Sequence, residues 1–143
     1  MKQTIEIVAA LIRDPAGRVL VVRKRGTAAF MQPGGKRDAG EDDAGALARE
    51  IKEELGCDVV AGSARPLGAF EAPAANEPGR RVRAAVYAID IAGAIAAQAE
   101  IDEIAWVDPA MPHVLDLAPL TRDHVLPLIK GPGAQATGRA AVD

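Results

Sequence analysis

The chain has 143 residues, of which 49% are hydrophobic, 26% are charged and 3% are aromatic. This length suffices for one sizeable core, and the composition is typical of a soluble globular protein with an aliphatic interior. With 17 Lys and Arg against 20 Asp and Glu, the net charge of −3 argues against a broad basic face, so we predict no nucleic-acid partner.

The single cysteine, Cys57, cannot form an internal disulfide or a Cys-rich metal site, which favours a reducing compartment. The longest apolar runs, such as Ile7 to Ile12, fall far short of the roughly 20 residues that span a bilayer. We therefore predict a cytoplasmic protein without a membrane partner. We expect one domain over residues 1–130 and a flexible tail over residues 131–143, which opens with Gly131-Pro132-Gly133.

Apolar segments separated by turn signals predict strands in the first part of the chain. Thr4 to Arg13 and Val19 to Val22 are predicted strands, because both are rich in aliphatic residues and they flank the turn sequence Asp14 to Gly17. The segment from Phe30 to Gly35 contains a proline and two glycines, so it is predicted to be a loop with room for a short strand.

A helix is predicted from Asp43 to Leu55. Asp42 is suited to cap its N terminus, and Gly56 is suited to end it in the left-handed conformation. Apolar residues recur here at spacings of three and four, as they do on one face of an amphipathic helix. These residues are Ala44, Leu47, Ala48, Ile51 and Leu55.

Beyond this helix, alternating apolar residues predict further strands. A loop rich in Pro and Ala, Ala72 to Gly79, separates the first two of them. Thr121 is predicted to cap a last helix, which Pro127 would kink or shorten. The predicted strands are Val59 to Phe70, Arg81 to Ile91 and Glu103 to Val107.

The predicted helix has a second, acidic face. Glu50, Glu53 and Glu54 stand at positions i, i+3 and i+4, where like charges repel by a few tenths of a kcal/mol per pair. A divalent cation would compensate this repulsion, because Mg²⁺ takes hard oxygen ligands and is commonly held by a few carboxylates. Taken alone, the same spacing also fits an ordinary solvated helix face.

These glutamates belong to a longer pattern. Five residues separate Gly35 from Glu41, seven more lead to Arg49-Glu50, and then come Ile51, Lys52, Glu53-Glu54, Leu55, Gly56 and Cys57. Here the sequence resembles the Nudix family, whose signature is Gly, five residues, Glu, seven residues, Arg-Glu, an aliphatic, any residue, Glu-Glu, any residue, Gly and an aliphatic. All seven fixed residues are present, and a chance match is on the order of 10⁻⁸ per starting point. Cys57 replaces an aliphatic residue, but a buried thiol packs as a small hydrophobe.

The resemblance spans about Thr4 to Ile129 and implies an α/β fold, namely an α/β/α sandwich with a mixed β-sheet. It also implies that Glu50, Glu53 and Glu54 bind Mg²⁺, for which Mn²⁺ could substitute, with the carbonyl of Gly35 as a further ligand.

Further roles follow from the same resemblance. Arg49 would orient a glutamate through a charge-assisted hydrogen bond. Glu41 and Gly56 would have structural roles at the two ends of the helix. The implied reaction is hydrolysis of a phosphoanhydride bond in a nucleoside-diphosphate-linked substrate, with a carboxylate removing a proton from the attacking water.

Which carboxylate acts as the base is open, because the family uses either a signature glutamate or one from a later loop. Glu50 is the first choice, and Glu100 and Glu103 are the later candidates, although both also fit a polar strand entry. Arg23 and Arg25 stand two residues apart and could hold substrate phosphate, or they could be solvated strand-end residues.

The substrate is the least determined part of the prediction. An oxidised or normal nucleoside triphosphate and a nucleotide sugar such as ADP-ribose both fit, and specificity should lie in loops such as Ala72 to Arg80. A non-hydrolytic nucleotide-binding sensor on the same fold is the alternative, but it would be expected to lose carboxylates that this chain keeps. A homodimer is compatible with the family, and no residue of the sequence decides it.

Overall fold

The computed structural model describes residues 4–130, and the predicted tail over residues 131–143 lies outside them. Within the described range the chain forms eight strands and two α-helices. The strands are β1 (Thr4–Leu11), β2 (Val19–Lys24), β3 (Gly34–Gly35), β4 (Asp58–Val59), β5 (Arg65–Pro73), β6 (Arg81–Ala88), β7 (Ile91–Ala92) and β8 (Ile101–Val107), and the helices are α1 (Asp43–Leu55) and α2 (Leu126–Lys130).

The strands form one mixed sheet and two small antiparallel pairs. The mixed sheet has the order β3-β1-β6-β5. Within it β1 runs parallel to β6, whereas β1 with β3 and β5 with β6 are antiparallel. The pair β2-β8 and the pair β4-β7 complete the strand content of the described residues. The predicted mixed sheet is confirmed.

Two hydrophobic cores lie on opposite faces of the strands, because successive side chains of a strand point to opposite sides. On β1, Val8 and Ala10 belong to the α1-side core, and Ala9 and Leu11 to the α2-side core. The α1-side core includes Leu20, Val22, Leu47, Ile51, Leu55 and Cys57. The α2-side core includes Val19, Val21, Val86, Leu117, Leu126 and Ile129. This arrangement confirms the α/β/α sandwich and the packing role of Cys57.

Helix α1 has the predicted bounds and caps. Asp42 accepts a hydrogen bond from the backbone N–H of Gly45 at 2.8 Å, which satisfies one of the free donors at the helix start. Gly56 ends the helix with φ of 75°, a conformation that glycine adopts without steric cost, and its N–H donates to the carbonyl of Lys52.

Two long strands were predicted where the structure has four shorter ones. The segment Val59 to Phe70 is broken by a turn at Gly62, whose φ is 77°. The segment Arg81 to Ile91 is interrupted between β6 and β7. The breaks allow β4 and β7 to leave the mixed sheet and pair with each other, which alternation alone does not reveal.

The prediction that Thr121 caps the last helix is wrong. Thr121 lies inside the helix, in a π-helical turn over Thr121–Val125 that leads into α2, and it is fully buried. Pro127, which lacks an N–H and whose ring would crowd the carbonyl four residues earlier, lies two residues beyond this turn. Among residues 4–130, no helix is long and apolar enough to cross a membrane.

Candidate active site

The candidate site is the contact between α1 and the double glycine of β3. Glu54 is 5% exposed, and its carboxylate accepts a hydrogen bond from the N–H of Gly34 at 3.2 Å. A Cβ on Gly34 would lie 2.1 Å from the carbonyl oxygen of Val8, and φ at Gly34 is 148°. Only glycine therefore lets this backbone approach β1 while its N–H faces the helix.

Glu50 lies beside Glu54 on the same side of α1. Its carboxylate packs on Gly35, where a Cβ would come within 2.5 Å of Glu50 Oε2. The Glu50 side chain is 15% exposed. The missing side chain of Gly35 thus leaves the space that the Glu50 carboxylate occupies, and the Glu54 carboxylate lies next to it at the N–H of Gly34.

Burial and proximity perturb both carboxyl groups. Burial is the main cause that raises the pKa of Glu54 to about 8, and the charge of Glu50 raises it further, against the opposing hydrogen bond from Gly34. Burial also raises the pKa of Glu50, while the hydrogen bond from Arg49 opposes that change. Two desolvated carboxylates side by side are unfavourable unless one binds a proton or a cation neutralises them.

Glu53 does not join this pair. Its side chain is 54% exposed, and its nearest cationic contact is Arg49 Nη1 at 3.6 Å. Within residues 4–130 no three His, Cys, Asp or Glu side chains are already gathered as a metal-binding group. The predicted convergence of all three helix glutamates therefore holds for Glu50 and Glu54 only.

Arg49 connects the helix to the loop that precedes it. Its guanidinium donates to Glu41 through Nε at 2.7 Å and Nη2 at 2.8 Å, to the carbonyl of Lys36 at 3.0 Å and to Glu50 at 3.1 Å. Glu41 in turn accepts the backbone N–H of Asp38 at 2.7 Å. Mainly because of Arg49, the pKa of Glu41 falls to about 2. Arg49 therefore holds the loop and one carboxylate of the pair at once.

Arg23 and Glu103 bind each other across the pair β2-β8. Arg23 Nη2 lies 3.0 Å from Glu103 and 3.1 Å from Asp102, and Nη1 donates to the carbonyl of Thr27 at 3.0 Å. By strand alternation Arg23 shares its face with Val21 of the α2-side core, and Glu103 lies opposite it. Both side chains therefore lie on the face opposite α1.

Glu100 lies in a loop that is attached to the end of α1. The N–H groups of Ala96 and Gln98 donate to the carbonyls of Leu55 and Glu54, both at 3.0 Å. Arg25 binds the other side of this loop: its N–H donates to the carbonyl of Glu100 at 2.8 Å, and its Nη2 to that of Ala99 at 3.0 Å. The loop is thus fixed near Glu54, and Glu100 is exposed on it.

Lys24 is a cation near the site that the sequence did not single out. Its positive charge lowers the pKa of both Glu50 and Glu54, against the effect of burial. By alternation it follows Leu20 and Val22 on the α1 side of β2. The sequence contains this alternation, but it does not show which face of β2 meets the helix.

An open crevice of about 320 Å³ lies at the start of the last helix. It contains none of the predicted site residues and is lined by small and apolar side chains together with three polar ones. The lining residues are Ala28, Ala29, Ala74, Ala75, Asn76, Asp116, Leu117, Pro119 and Arg122. Ala29 and Gly34 are five residues apart in the chain, which limits their separation to about 18 Å.

Comparisons with known proteins agree with this arrangement. The NUDIX domain family matches residues 4–129. A Nudix hydrolase of Streptomyces coelicolor, itself uncharacterized, is 40% identical over 100 residues, which cover 66% of this chain and 52% of that protein. The 8-oxo-dGTP diphosphatase of Haemophilus influenzae is 39% identical over 59 residues, 38% of this chain and 43% of that protein. The chain thus spans about half the length of these relatives.

Solved structures show the same fold. A MutT NUDIX hydrolase from Burkholderia pseudomallei superposes with a TM-score of 0.66 at 23% identity, covering 89% of this chain and 95% of that chain. At this level of identity the likeness concerns the fold alone.

Proposed function

The chain belongs to the Nudix hydrolase family, and from this premise we propose that it is a Mg²⁺-dependent enzyme that hydrolyses nucleoside triphosphates to a nucleoside monophosphate and pyrophosphate. The observation that carries the proposal is the Glu50–Glu54 pair, inserted beside Gly34 and Gly35. This pair meets the chemical requirement of a phosphoanhydride hydrolase, which is negative charge concentrated where a divalent cation and a diphosphate can meet.

The side chains present fit Mg²⁺. Two adjacent, largely buried carboxylates supply hard oxygen atoms, and their mutual repulsion is relieved by a divalent cation. Glu53 is one helical turn from Glu50 and sufficiently exposed to change rotamer toward the pair. Glu50, Glu53, Glu54 and the carbonyl of Gly35 would hold the ion. When bound, Mg²⁺ would neutralise the diphosphate and lower the pKa of the attacking water.

The chain's own residues would orient the reaction. Arg49 holds Glu50 at 3.1 Å and so fixes the carboxylate that we assign as first choice for the base. Glu100 is the better of the two later candidates, because its loop is bonded to the last turn of α1, whereas Glu103 is bound to Arg23 on the opposite face. Lys24 adds a positive charge near the same carboxylates.

The nucleoside part would lie toward the crevice lined by Ala28, Ala29 and Asn76. Arg23 donates to the carbonyl of Thr27, next to these alanines, but it is bound to Glu103 on the face opposite α1, so any phosphate contact it makes would be on the crevice side and not at the Glu50–Glu54 pair. Arg25 is less suited to this role, because its guanidinium is bound to Ala99. A nucleoside triphosphate is favoured over a nucleotide sugar because one relative is named an 8-oxo-dGTP diphosphatase.

Hydrolysis of a substrate panel tests the proposal. Purified protein with Mg²⁺ or Mn²⁺ is offered normal and oxidised nucleoside triphosphates, ADP-ribose and other nucleotide sugars, and products are separated by ion-exchange chromatography. We expect nucleoside monophosphate and pyrophosphate from a triphosphate. Glu50→Gln, Glu53→Gln and Glu54→Gln should each lower kcat by at least about 100-fold.

Asp58→Asn is the matched control, because Asp58 is exposed just beyond the same helix and pairs only with Lys52 among the described residues. Its kcat should stay within about twofold of the wild type. Preferential turnover of ADP-ribose would move the assignment to nucleotide sugars. Absence of any turnover, together with a nucleotide that raises the melting temperature, would instead support the sensor alternative.

A further inference from the structure

The loop from Lys36 to Glu41 joins Gly35 to helix α1 and has little apolar anchoring. Lys36, Asp38, Ala39 and Gly40 are exposed, and only Arg37 and Glu41 are half-buried. The conformation of this loop therefore depends mainly on polar contacts, and Arg37 and Glu41 supply its half-buried side chains. Glu41 is held by Arg49, and both are part of the family signature.

Arg37 is held by a second set of contacts, which involves no fixed position of that signature. Its Nε donates to Asp43 Oδ1 at 2.5 Å, and the hydroxyl of Tyr87 donates to the other oxygen of the same carboxylate. One carboxylate thus connects the loop, the first turn of α1 and strand β6. The side chains of Arg37 and Asp43 are 30% and 28% exposed, so solvent screens the pair less than it screens a fully exposed one.

The electrostatic environment agrees with a tight charge-assisted cluster. Arg37 is the main cause that lowers the pKa of Asp43, with Tyr87 second. Asp43 is also the main cause that raises the pKa of Tyr87. Asp43 stays ionised and Tyr87 stays protonated near neutral pH, which keeps both hydrogen bonds in place.

These contacts are close in the chain to the atoms of the candidate active site. Arg37 is two residues from Gly35, on which the Glu50 carboxylate packs, and it follows Lys36, whose carbonyl accepts a hydrogen bond from Arg49. A displacement of Arg37 would therefore move the Gly35 backbone and the Arg49 acceptor together.

We propose that Arg37, Asp43 and Tyr87 form a second anchor of this loop and act as positioning residues for the Glu50–Glu54 pair. The anchor itself is independent of the substrate, and its effect on turnover rests on the proposed function. The first anchor, Arg49 with Glu41, holds the loop from the middle of α1. The second holds it from the helix start and from the sheet, so the loop is restrained at both its ends.

The test compares Tyr87→Phe and Arg37→Met with the wild type. Tyr87→Phe removes one hydroxyl and keeps the ring, so the fold is expected to survive. Hydrogen exchange of the amides of residues 36–41 should become at least fivefold faster in both variants. Binding of Mn²⁺ to the substrate-free protein, followed by electron paramagnetic resonance, should weaken about three- to tenfold, and kcat should fall by a similar factor with KM for the nucleotide changed less than twofold.

Arg18→Met is the control, because it removes an exposed ion pair, with Asp14, in the turn before β2. It should leave exchange of residues 36–41, Mn²⁺ binding and kcat unchanged. In the double variant Arg37→Met/Tyr87→Phe, the decreases in Mn²⁺ affinity and in kcat should be no more than about twice those of the more affected single variant. The two effects should not multiply, because both residues act through Asp43.

The outcomes separate this inference from the proposed function. Faster exchange and weaker Mn²⁺ binding in a protein that hydrolyses no triphosphate would support the anchor and reject the proposed substrate. Unchanged exchange, or unchanged Mn²⁺ binding and kcat despite faster exchange, would overturn the positioning role.

Discussion

At the scale of single residues, Glu54 lies in surroundings that disfavour its charge. It is 5% exposed, it accepts a hydrogen bond from the N–H of Gly34, and the carboxyl group of Glu50 lies next to it. A protein that only had to be stable would gain from an uncharged side chain here, since a desolvated carboxylate costs free energy unless it is compensated. The retention of two carboxyl groups at this point is the residue-level reason to assign the site a chemical role.

The metal-free protein should lose stability as the pH rises. The pKa of Glu54 is raised to about 8 in the folded protein from an ordinary value near 4.5. The folded state therefore binds a proton that the unfolded chain releases between these values. The stabilisation is complete below about pH 4.5 and is lost as the pH rises through about 8, by up to a few kcal/mol.

Melting temperatures measured in EDTA from pH 5 to pH 9 check this, with Glu54→Gln as the variant and the exposed Glu71→Gln as its control. The melting temperatures of the wild type and Glu71→Gln should fall with rising pH, and that of Glu54→Gln should fall clearly less, with the remaining dependence due to Glu50. Parallel curves for all three proteins would contradict the raised pKa. At pH 8 Mg²⁺ should stabilise the wild type more than Glu54→Gln.

At the scale of elements, the end of α1 and the loop that contains Glu100 form one unit. The last two carbonyls of the helix accept hydrogen bonds from Ala96 and Gln98. Gly56 sits under the Gln98 amide, where a Cβ would come within 2.2 Å of Nε2. Position 56 of the signature therefore requires glycine for two reasons. Its φ of 75° is left-handed, and the loop with Gln98 approaches it too closely for a side chain.

The free-energy costs of these two effects can be measured separately by making Gly56→Ala with and without Gln98→Ala. Gly56→Ala alone should lower the free energy of unfolding by roughly 2 kcal/mol or more, because strain from the positive φ adds to the steric contact. Gly56→Ala in a Gln98→Ala background should cost only about 1–2 kcal/mol, the part due to φ. Urea denaturation of the four proteins in this cycle measures both parts, and equal losses in the two backgrounds would show that the Gln98 contact is not significant.

At the scale of the whole molecule, the two cores are joined through strands that contribute to both. Strand β1 places Val8 and Ala10 on one side and Ala9 and Leu11 on the other. Loss of packing in one core should therefore also destabilise the other core, because both depend on the position of β1. If the chain is a single domain, as the sequence predicts, residues 4–130 are expected to unfold as one cooperative unit.

Leu126→Ala tests this cooperativity. Leu126 is 1% exposed in the α2-side core, and its truncation should cost about 2–5 kcal/mol. Trp106, the single tryptophan, packs against the α1-side core and reports on the other face. Its fluorescence and the far-UV circular dichroism should shift to the same lower urea midpoint. Separate midpoints for the two probes would show that the two faces unfold independently.

How far the sequence predicts this molecule depends on whether the controlling interactions are local. Helix α1, its Asp42 cap and its Gly56 terminus follow from spacing and backbone chemistry within fifteen residues, and these predictions are confirmed. The strands after α1 are only approximately predicted, because β4 and β7 leave the sheet to pair across about thirty intervening residues. Thr121 was predicted to be a helix cap from its residue type alone, but it lies inside the helix and is fully buried, which depends on packing in the interior.

By itself the sequence determined the family and the helix with the glutamates, because these depend on residue identity at fixed spacing. Only the tertiary structure decided that Glu50 and Glu54 are buried while Glu53 is exposed, that Glu103 is bound to Arg23 on the opposite face from α1, and that Tyr87 reaches Asp43. These facts depend on which strand face meets which helix. Strand alternation defines two faces, but the side that α1 covers follows from the packing of residues distant in the chain.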